Sequence, residues 1–292
     1  MKVSICMITF NQEKYIAQAI ESVLVQITKF DYELVIGEDC STDKTRKIVI
    51  DYQKKYPNKI RLILNRHNIG ANLNFDNAFM ACKGKYIAIL EGDDYWTLPS
   101  KLQKQVDFLE NNPEYAISAH AVDIISQSNK ESFVPDTIKK NPKKEYTMRD
   151  LIHENFIPTC SVVYRKINGL ILPSWMKHVS YQDLPLHILH AQYGKISYFP
   201  EVMACYRVHS GGMWANRDKL FKIKRTITIY KHLNRYFKYQ SKDVKRELFN
   251  KYFHLATIYK NINDGRNAKK YALASLQYSN IVQKLQVLRL FV

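Results

Sequence analysis

Along the first 110 residues, short and almost unbroken apolar runs alternate with longer stretches whose apolar positions recur every three or four residues. Runs 3–10, 32–37, 60–64 and 85–90 are brief, rich in β-formers and bounded by polar clusters, the pattern of strands buried on both faces. Between them, 11–26, a stretch ending near 56, and 72–82 carry helical periodicity. Ile16, Ala19, Ile20, Val23 and Leu24 share one face of the first, and Ser41, Thr42 and Asp43 supply capping chemistry for the second. A further helix follows the fourth strand, with Pro99 and Ser100 near its start and Val106, Phe108 and Leu109 on its buried side. Alternation at this pitch predicts βαβ units, hence an α/β domain around a mostly parallel sheet flanked by helices.

In such sheets ligands bind beyond the carboxyl ends of the strands. Phe10-Asn11, Glu38-Asp39, Asn65 and the acidic turn Glu91-Gly92-Asp93-Asp94 all fall at those ends. The last is the densest: three carboxylates within four residues, around a glycine expected to let the backbone turn tightly. Crowded carboxylates repel one another, and burying them is costly unless a cation sits between. Mg²⁺ and Mn²⁺ are held by one or two carboxylates, with water and substrate phosphates completing the shell. A lone Asp-Asp pair is more often a solvated turn. Four polar strand ends on one rim make a candidate site.

Past residue 110 the pattern loosens. A strand at 115–121 precedes a polar excursion at 122–146, and Thr147 is the expected cap of a short helix. A polar turn and strand follow at 158–164. Tyr181-Gln182-Asp183 opens a helix carrying Leu186, Ile188, Leu189 and Ala191. Runs 194–199 and 202–206 read as two closing strands, ending in Tyr206-Arg207-Val208-His209-Ser210-Gly211-Gly212-Met213-Trp214. A cation and an imidazole beside a double glycine suit a flap over a diphosphate. Beyond 216 the periodicity is helical, with stretches at 220–239, 247–260 and 267–279.

Charge sharpens that division. The net charge is +17, yet residues 216–292 hold 18 Lys+Arg against 4 Asp+Glu, while residues 1–215 hold 26 against 23. A nearly neutral domain (1–215) is therefore expected to precede a basic helical extension (216–292) that favours an anionic partner. The five cysteines are far apart and form no CxxC pair, so a reduced, cytoplasmic setting is expected rather than a disulfide framework. Lys2 and its brief apolar run do not read as a signal peptide, and no run of about 20 apolar residues suggests a membrane span.

The motifs VSICMITFN (3–11), EDCSTDKT (38–45), NIGANLNFDNA (68–78) and GKYIAILEGDDYW (84–96), then YQD (181–183) and YRVH (206–209), occur in order. Through them residues 1–215 resemble the family 2 glycosyltransferases of the GT-A fold. One departure is Cys40, where the family often has glycine, a residue that tolerates positive φ. The resemblance implies an inverting, metal-dependent transfer from a nucleotide sugar, with UDP the expected nucleotide. The acceptor would be a saccharide or lipid-linked glycan of a bacterial surface polysaccharide.

By the same resemblance, Asp39 would accept from the base N–H, Phe10 would pack on its ring, and Asn68, with Asn65 and Asn72, would shape the nearby loop. Asp93 would lie by the ribose, and Asp94 would hold Mn²⁺ or Mg²⁺ on the diphosphate. Arg207 would approach the diphosphate, and His209 the metal or the phosphates. Asp183 would be the catalytic base. Plainer roles stand beside these: core packing for Phe10 and Trp214, capping for Asp39, helix-dipole stabilisation for Asp183, a structural role for His209. Glu91 is either a further ligand or a support for the strand end.

In the extension, the stretch around Asp264-Gly265 resembles a single tetratricopeptide-type hairpin, which must pack on something and so allows self-association. Its basic helices suit an anionic membrane surface, here the inner face of the plasma membrane, or simply a solvated basic face. Two other classes fit less well. A nucleic-acid-binding protein would explain the basic tail, but no RRM, KH or helix-turn-helix signature is present, and the acidic rim repels phosphate backbones. A dinucleotide-dependent enzyme would need the G-x-G-x-x-G that does not follow the first strand.

Overall fold

A computed structural model describes residues 1–126, 129–140, 142–212 and 218–290. It divides into two compact units, Met1–Ser210 and Gly211–Val292.

The first unit begins with β1 (Val3–Thr9), α1 (Ile16–Leu24), β2 (Tyr32–Glu38), α2 (Thr45–Lys55), β3 (Ile60–Leu64), α3 (Ala71–Ala81) and β4 (Tyr86–Ile89). The four strands are parallel, in the order β3-β2-β1-β4. Every residue of β2 and β4 is buried, so the apolar runs are continuous because both sheet faces are covered. Val3, Ile5, Met7, Leu34 and Ile36 pack with Ile16, Ala19, Ile20 and Val23 in the main core. The α1 helix starts later than its periodicity suggests, since residues 12–15 form a turn that leads into it.

The chain continues through β5 (Tyr95–Trp96), α4 (Lys101–Asn111), β6 (Tyr115–Ile125), β7 (Lys130–Phe133), α5 (Asp136–Lys140), α6 (Met148–His153), β8 (Val163–Arg165), α7 (Asp183–Ala191) and β9 (Lys195–Arg207). These strands extend the sheet as β4-β8-β6-β9-β5, and β7 pairs with β6. Here β8 runs antiparallel to both neighbours, β9 parallel to β6, and β5 antiparallel to β9. A parallel half thus carries the polar strand ends, and a mixed half continues the sheet beyond β4.

Two details depart from the sequence pattern. The excursion at 122–146 contains β7 and α5. The two closing strands are one, because β9 runs through Pro200; proline has no N–H for the ladder, and the pairing with β6 shifts register there, between His120 and Ala121.

The second unit is helical: α8 (Lys219–Tyr236), α9 (Lys242–Asn261), α10 (Gly265–Leu276) and α11 (Ile281–Arg289). Asp218, Ser241, Asp264 and Asn280 each accept from a backbone N–H of the first turn that follows, which sets the four starts. Phe249, Ala256, Ala272 and Val287 form its small core, with Tyr271, Leu276 and Leu290 against it. No described helix is long and apolar enough to cross a membrane.

Candidate active site

The carboxyl ends of β1, β2 and β4 lie side by side, since β1 pairs with both neighbours in parallel. The acidic turn after β4 is drawn against the end of β1 by Gly92, whose N–H donates to the Ile8 carbonyl at 3.0 Å. Gly92 is not in the left-handed region. Its requirement is room: a Cβ there would lie 2.5 Å from Gln12 Oε1 and 2.9 Å from Thr9 Oγ1. The glycine expected for a tight turn therefore serves close packing.

At the end of β2, Glu38 is wholly buried, pairs with the Arg46 guanidinium and accepts from Ser41 N–H at 2.7 Å. Asp39 is also buried and organises the loop after β3. Its Oδ1 accepts from Asn65 Nδ2 and Ile69 N–H, and its Oδ2 from Gly70 N–H, each at 2.9 Å. A carboxylate offers about four acceptor sites, and three are used here by the protein. Asn68 is spent on the same loop: Nδ2 donates to the Asp39 carbonyl at 3.2 Å, and Oδ1 accepts from Gly70 N–H at 3.1 Å. Phe10, by contrast, is 42% exposed at this rim rather than packed in the core.

Cys40 occupies the left-handed region at φ 59°. A side chain there costs about 1–2 kcal/mol, partly offset by the extra chain freedom a glycine would lose on folding. We expect Cys40→Gly to stabilise the fold by roughly 0.5–1 kcal/mol, read as a higher urea midpoint. An unchanged or lower midpoint would show that the thiol's contact with the Arg66 carbonyl, at 3.5 Å, outweighs the strain.

The acidic turn is tied to the end of β9. Asp94 Oδ1 accepts from Arg207 N–H at 2.8 Å. The Arg207 guanidinium donates to the Asp93 carbonyl and to Gln18 Oε1, and lies 5.1 Å from the Tyr15 ring and 4.4 Å from the Tyr95 ring. His209 Nε2 meets Asp93 Oδ2 at 3.0 Å, and its ring rests 4.9 Å from that of Tyr15. Arg207 is therefore engaged by the protein itself, and His209 sits on Asp93 rather than on Asp94. Trp214 lies outside the described residues.

Asp94 Oδ2 is buried and has no hydrogen-bond partner. Burial and the neighbouring Asp93 push the Asp94 carboxyl well above its ordinary range, against the opposing pull of Arg207 and of the nearby Cys160 thiol. Glu91 is pushed up in the same way, by burial and by the charges of Asp94, Asp93 and Asp183. The Asp183 contribution is the smallest of these, yet it is the one that crosses the chain. It brings Asp183, distant in sequence, into the field of the β4 turn.

Asp183 is the first residue of α7. Its Oδ2 accepts from Asn155 Nδ2 at 3.1 Å, its Oδ1 is buried without a partner, and burial raises its carboxyl. The segment before it is fastened to α3: Asn72 Nδ2 donates to the Val179 carbonyl at 2.6 Å, and Gln182 Nε2 to Asp76 Oδ1 at 3.1 Å. On its far side α7 is anchored through Tyr164 Oη, 2.5 Å from His187 Nδ1 and stacked at 4.1 Å on His190. Burial lowers those imidazoles to about 3 and about 4, so both are neutral.

Asp76 and Asn155 escaped the sequence reading. Asp76 had a signal, as a carboxylate one helical turn beyond Asn72 within an otherwise mostly uncharged stretch. Asn155 had none, because its partner lies 28 residues away.

Among the described residues, no three His, Cys, Asp or Glu side chains gather into a metal cage. A cation bridging a bound diphosphate needs only one or two carboxylates. The orphaned, buried Asp94 Oδ2 in a surplus of negative charge fits that kind of site, and a cation there would relieve the repulsion that now raises Asp94 and Glu91.

The chain is similar in sequence and in fold to known proteins. An uncharacterized Mycobacterium tuberculosis protein is 39% identical over 221 residues, covering 72% of this chain and 60% of its own length. The chain thus spans about 60% of that relative. A Bacillus subtilis protein, TuaG, whose name provisionally makes it a glycosyltransferase of teichuronic acid biosynthesis, is 27% identical over 237 residues, covering 80% of this chain and 88% of its own.

Among solved structures, S. aureus TarS (residues 1–349) with UDP-GlcNAc superposes with a TM-score of 0.61 at 17% identity, covering 96% of this chain and 93% of that one. Pyrobaculum calidifontis mannosyltransferase PcManGT with GDP-Man and Mn²⁺ gives 0.60 at 14% identity, covering 99% and 79%. Both share the GT-A architecture expected from the motifs. The model of "Glycosyl transferase family 2" matches residues 4–169, and with more than half of its length so matched the chain belongs to that family.

Proposed function

We propose that this protein is an inverting glycosyltransferase that moves a sugar from a nucleotide-sugar donor to a saccharide or lipid-linked acceptor. The observation that carries the reading is the unpartnered, buried Asp183 Oδ1 at the start of α7, close enough to the Glu91–Asp94 turn for its charge to be felt at Glu91. An in-line displacement needs a base on one side of the anomeric carbon and charge stabilisation on the other. Asp183 Oδ1, unpartnered and aimed by Asn155 and the anchors of α7, takes the proton of the acceptor hydroxyl as its oxygen attacks. The sugar–oxygen bond to the diphosphate breaks as the new one forms, with inversion. Asp94 Oδ2 would hold Mn²⁺ or Mg²⁺, which when bound neutralises charge growing on the departing diphosphate.

Asp39 and the half-exposed Phe10 receive the base, with Asn68 holding the loop that shapes its pocket. Asp93, paired with His209, and Arg207, clamped between two tyrosines, hold the turn from which Asp94 acts. UDP is the first nucleotide to test, since the TarS complex contains UDP-GlcNAc, and GDP the second, since the PcManGT complex contains GDP-Man. The name of TuaG supports an acceptor in surface polysaccharide synthesis. Five free cysteines suit a cytoplasmic setting.

Calorimetric titration with UDP and GDP, each with and without Mn²⁺, tests the reading. One of the two nucleotides is expected to bind about tenfold or more tightly with the metal. Absence of binding by either nucleotide in the presence of Mn²⁺ would overturn it.

A further inference from the structure

We infer that α11 of the second unit is the contact helix of an interfacial surface that binds anionic lipid bilayers. The inference concerns this unit alone and stands independently of the transferase reading.

The helix has two apolar sides. One is used within the unit: Val287 is buried and Leu290 packs on the core of Phe249, Ala256 and Ala272. The other is open. Ile281 is 79% exposed, Val282 65%, Leu285 52% and Leu288 64%. Spacings of four and three from Ile281 to Leu285 to Leu288 place these side chains along one stripe, with Val282 at its edge. Four branched aliphatic residues on a nine-residue helix exceed the scattered exposed leucines of an ordinary surface.

Charge selects the occupant. Lys284 and Arg289 border the stripe on its two sides, and both are exposed. The segment 216–292 holds 18 Lys+Arg against 4 Asp+Glu. A second copy of so cationic a unit would repel the first, which disfavours a dimer through this face. Nucleic acid would satisfy the charge but leave the aliphatic stripe in water. A bilayer with anionic headgroups satisfies both: acyl chains receive the aliphatics, and Lys and Arg remain among the headgroups.

The test is flotation of the full-length protein with phosphatidylcholine vesicles, with and without about one-third phosphatidylglycerol, at about 0.1 M salt. Wild type is expected to float with the anionic vesicles only. The double variant Leu285→Asp, Leu288→Asp is expected to lose about tenfold or more of that binding, while its far-UV circular dichroism matches wild type. Lys284→Gln with Arg289→Gln, which leaves the stripe intact, is expected to weaken binding about fivefold per cation removed.

Failure of wild type to float with anionic vesicles would overturn the inference. So would undiminished flotation of the Asp variant, which would assign binding to diffuse charge. Sedimentation equilibrium supplies a third arm: a wild-type dimer that the Asp variant converts to monomer, without lipid binding, would make the stripe a self-association face.

Discussion

Asp183→Asn is expected to lower turnover by about 10²–10⁴-fold while leaving affinity for the nucleoside diphosphate unchanged. The amide keeps the shape of the side chain and can still accept from Asn155 Nδ2, so α7 retains its start. What it loses is the ability to hold the acceptor's proton. Asn155 offers only one contact to that carboxylate, and it engages Oδ2 rather than the unpartnered Oδ1.

The pH profile carries the same signature. Burial raises the Asp183 carboxyl above its ordinary value, and a base works only when ionised. Activity should therefore fall on acidification at a higher pH than an exposed aspartate would give, and Asp183→Asn should abolish that limb. Single-turnover rates across pH, with nucleotide binding by calorimetry, separate these effects. Turnover close to wild type in the variant would remove Asp183 from the role of base.

Asp94→Asn is expected to erase the metal dependence of nucleotide binding and to lower turnover by about 10²–10³-fold. An amide can still accept from Arg207 N–H, but it gives a hard cation a neutral and weaker ligand. Stability should move the other way. Asp94 is buried beside Asp93 and Glu91, so neutralising it removes both like-charge repulsion and the cost of a buried charge. A melting temperature equal to or above wild type, together with loss of the Mn²⁺ effect, distinguishes a ligand from a structural residue. Retained metal-dependent affinity would place the cation elsewhere.

Much of this architecture was legible in the chain. The runs of β1 to β4 are short and unbroken because both faces of their sheet are covered, and their polar ends mark one rim. Asp39 and Asp94 are marked in the chain as polar ends of strands, whereas Asp183 is singled out only by the resemblance of its YQD motif.

Pairing was less legible. Nothing local tells that 194–199 and 202–206 are one strand bent at Pro200, since proline usually ends a strand and here sits at a bulge. Nor does sequence reveal that the Arg207 guanidinium is clamped between Tyr15 and Tyr95, or that His209 rests on Asp93. Those contacts join residues more than 100 positions apart. Asn68 illustrates a subtler limit: its place beside the nucleotide loop was readable, but its polar atoms prove to be committed to the loop backbone.

A crystal structure with UDP or GDP and Mn²⁺ tests the convergence of the three aspartates most directly. The expected result places the base beside Asp39 and Phe10, the metal on Asp94 Oδ2 and the diphosphate, and the Asp183 carboxylate facing the vacant sugar position across from the leaving oxygen. A nucleotide bound away from this rim, or a closed wall of protein between the diphosphate and Asp183, would contradict the account.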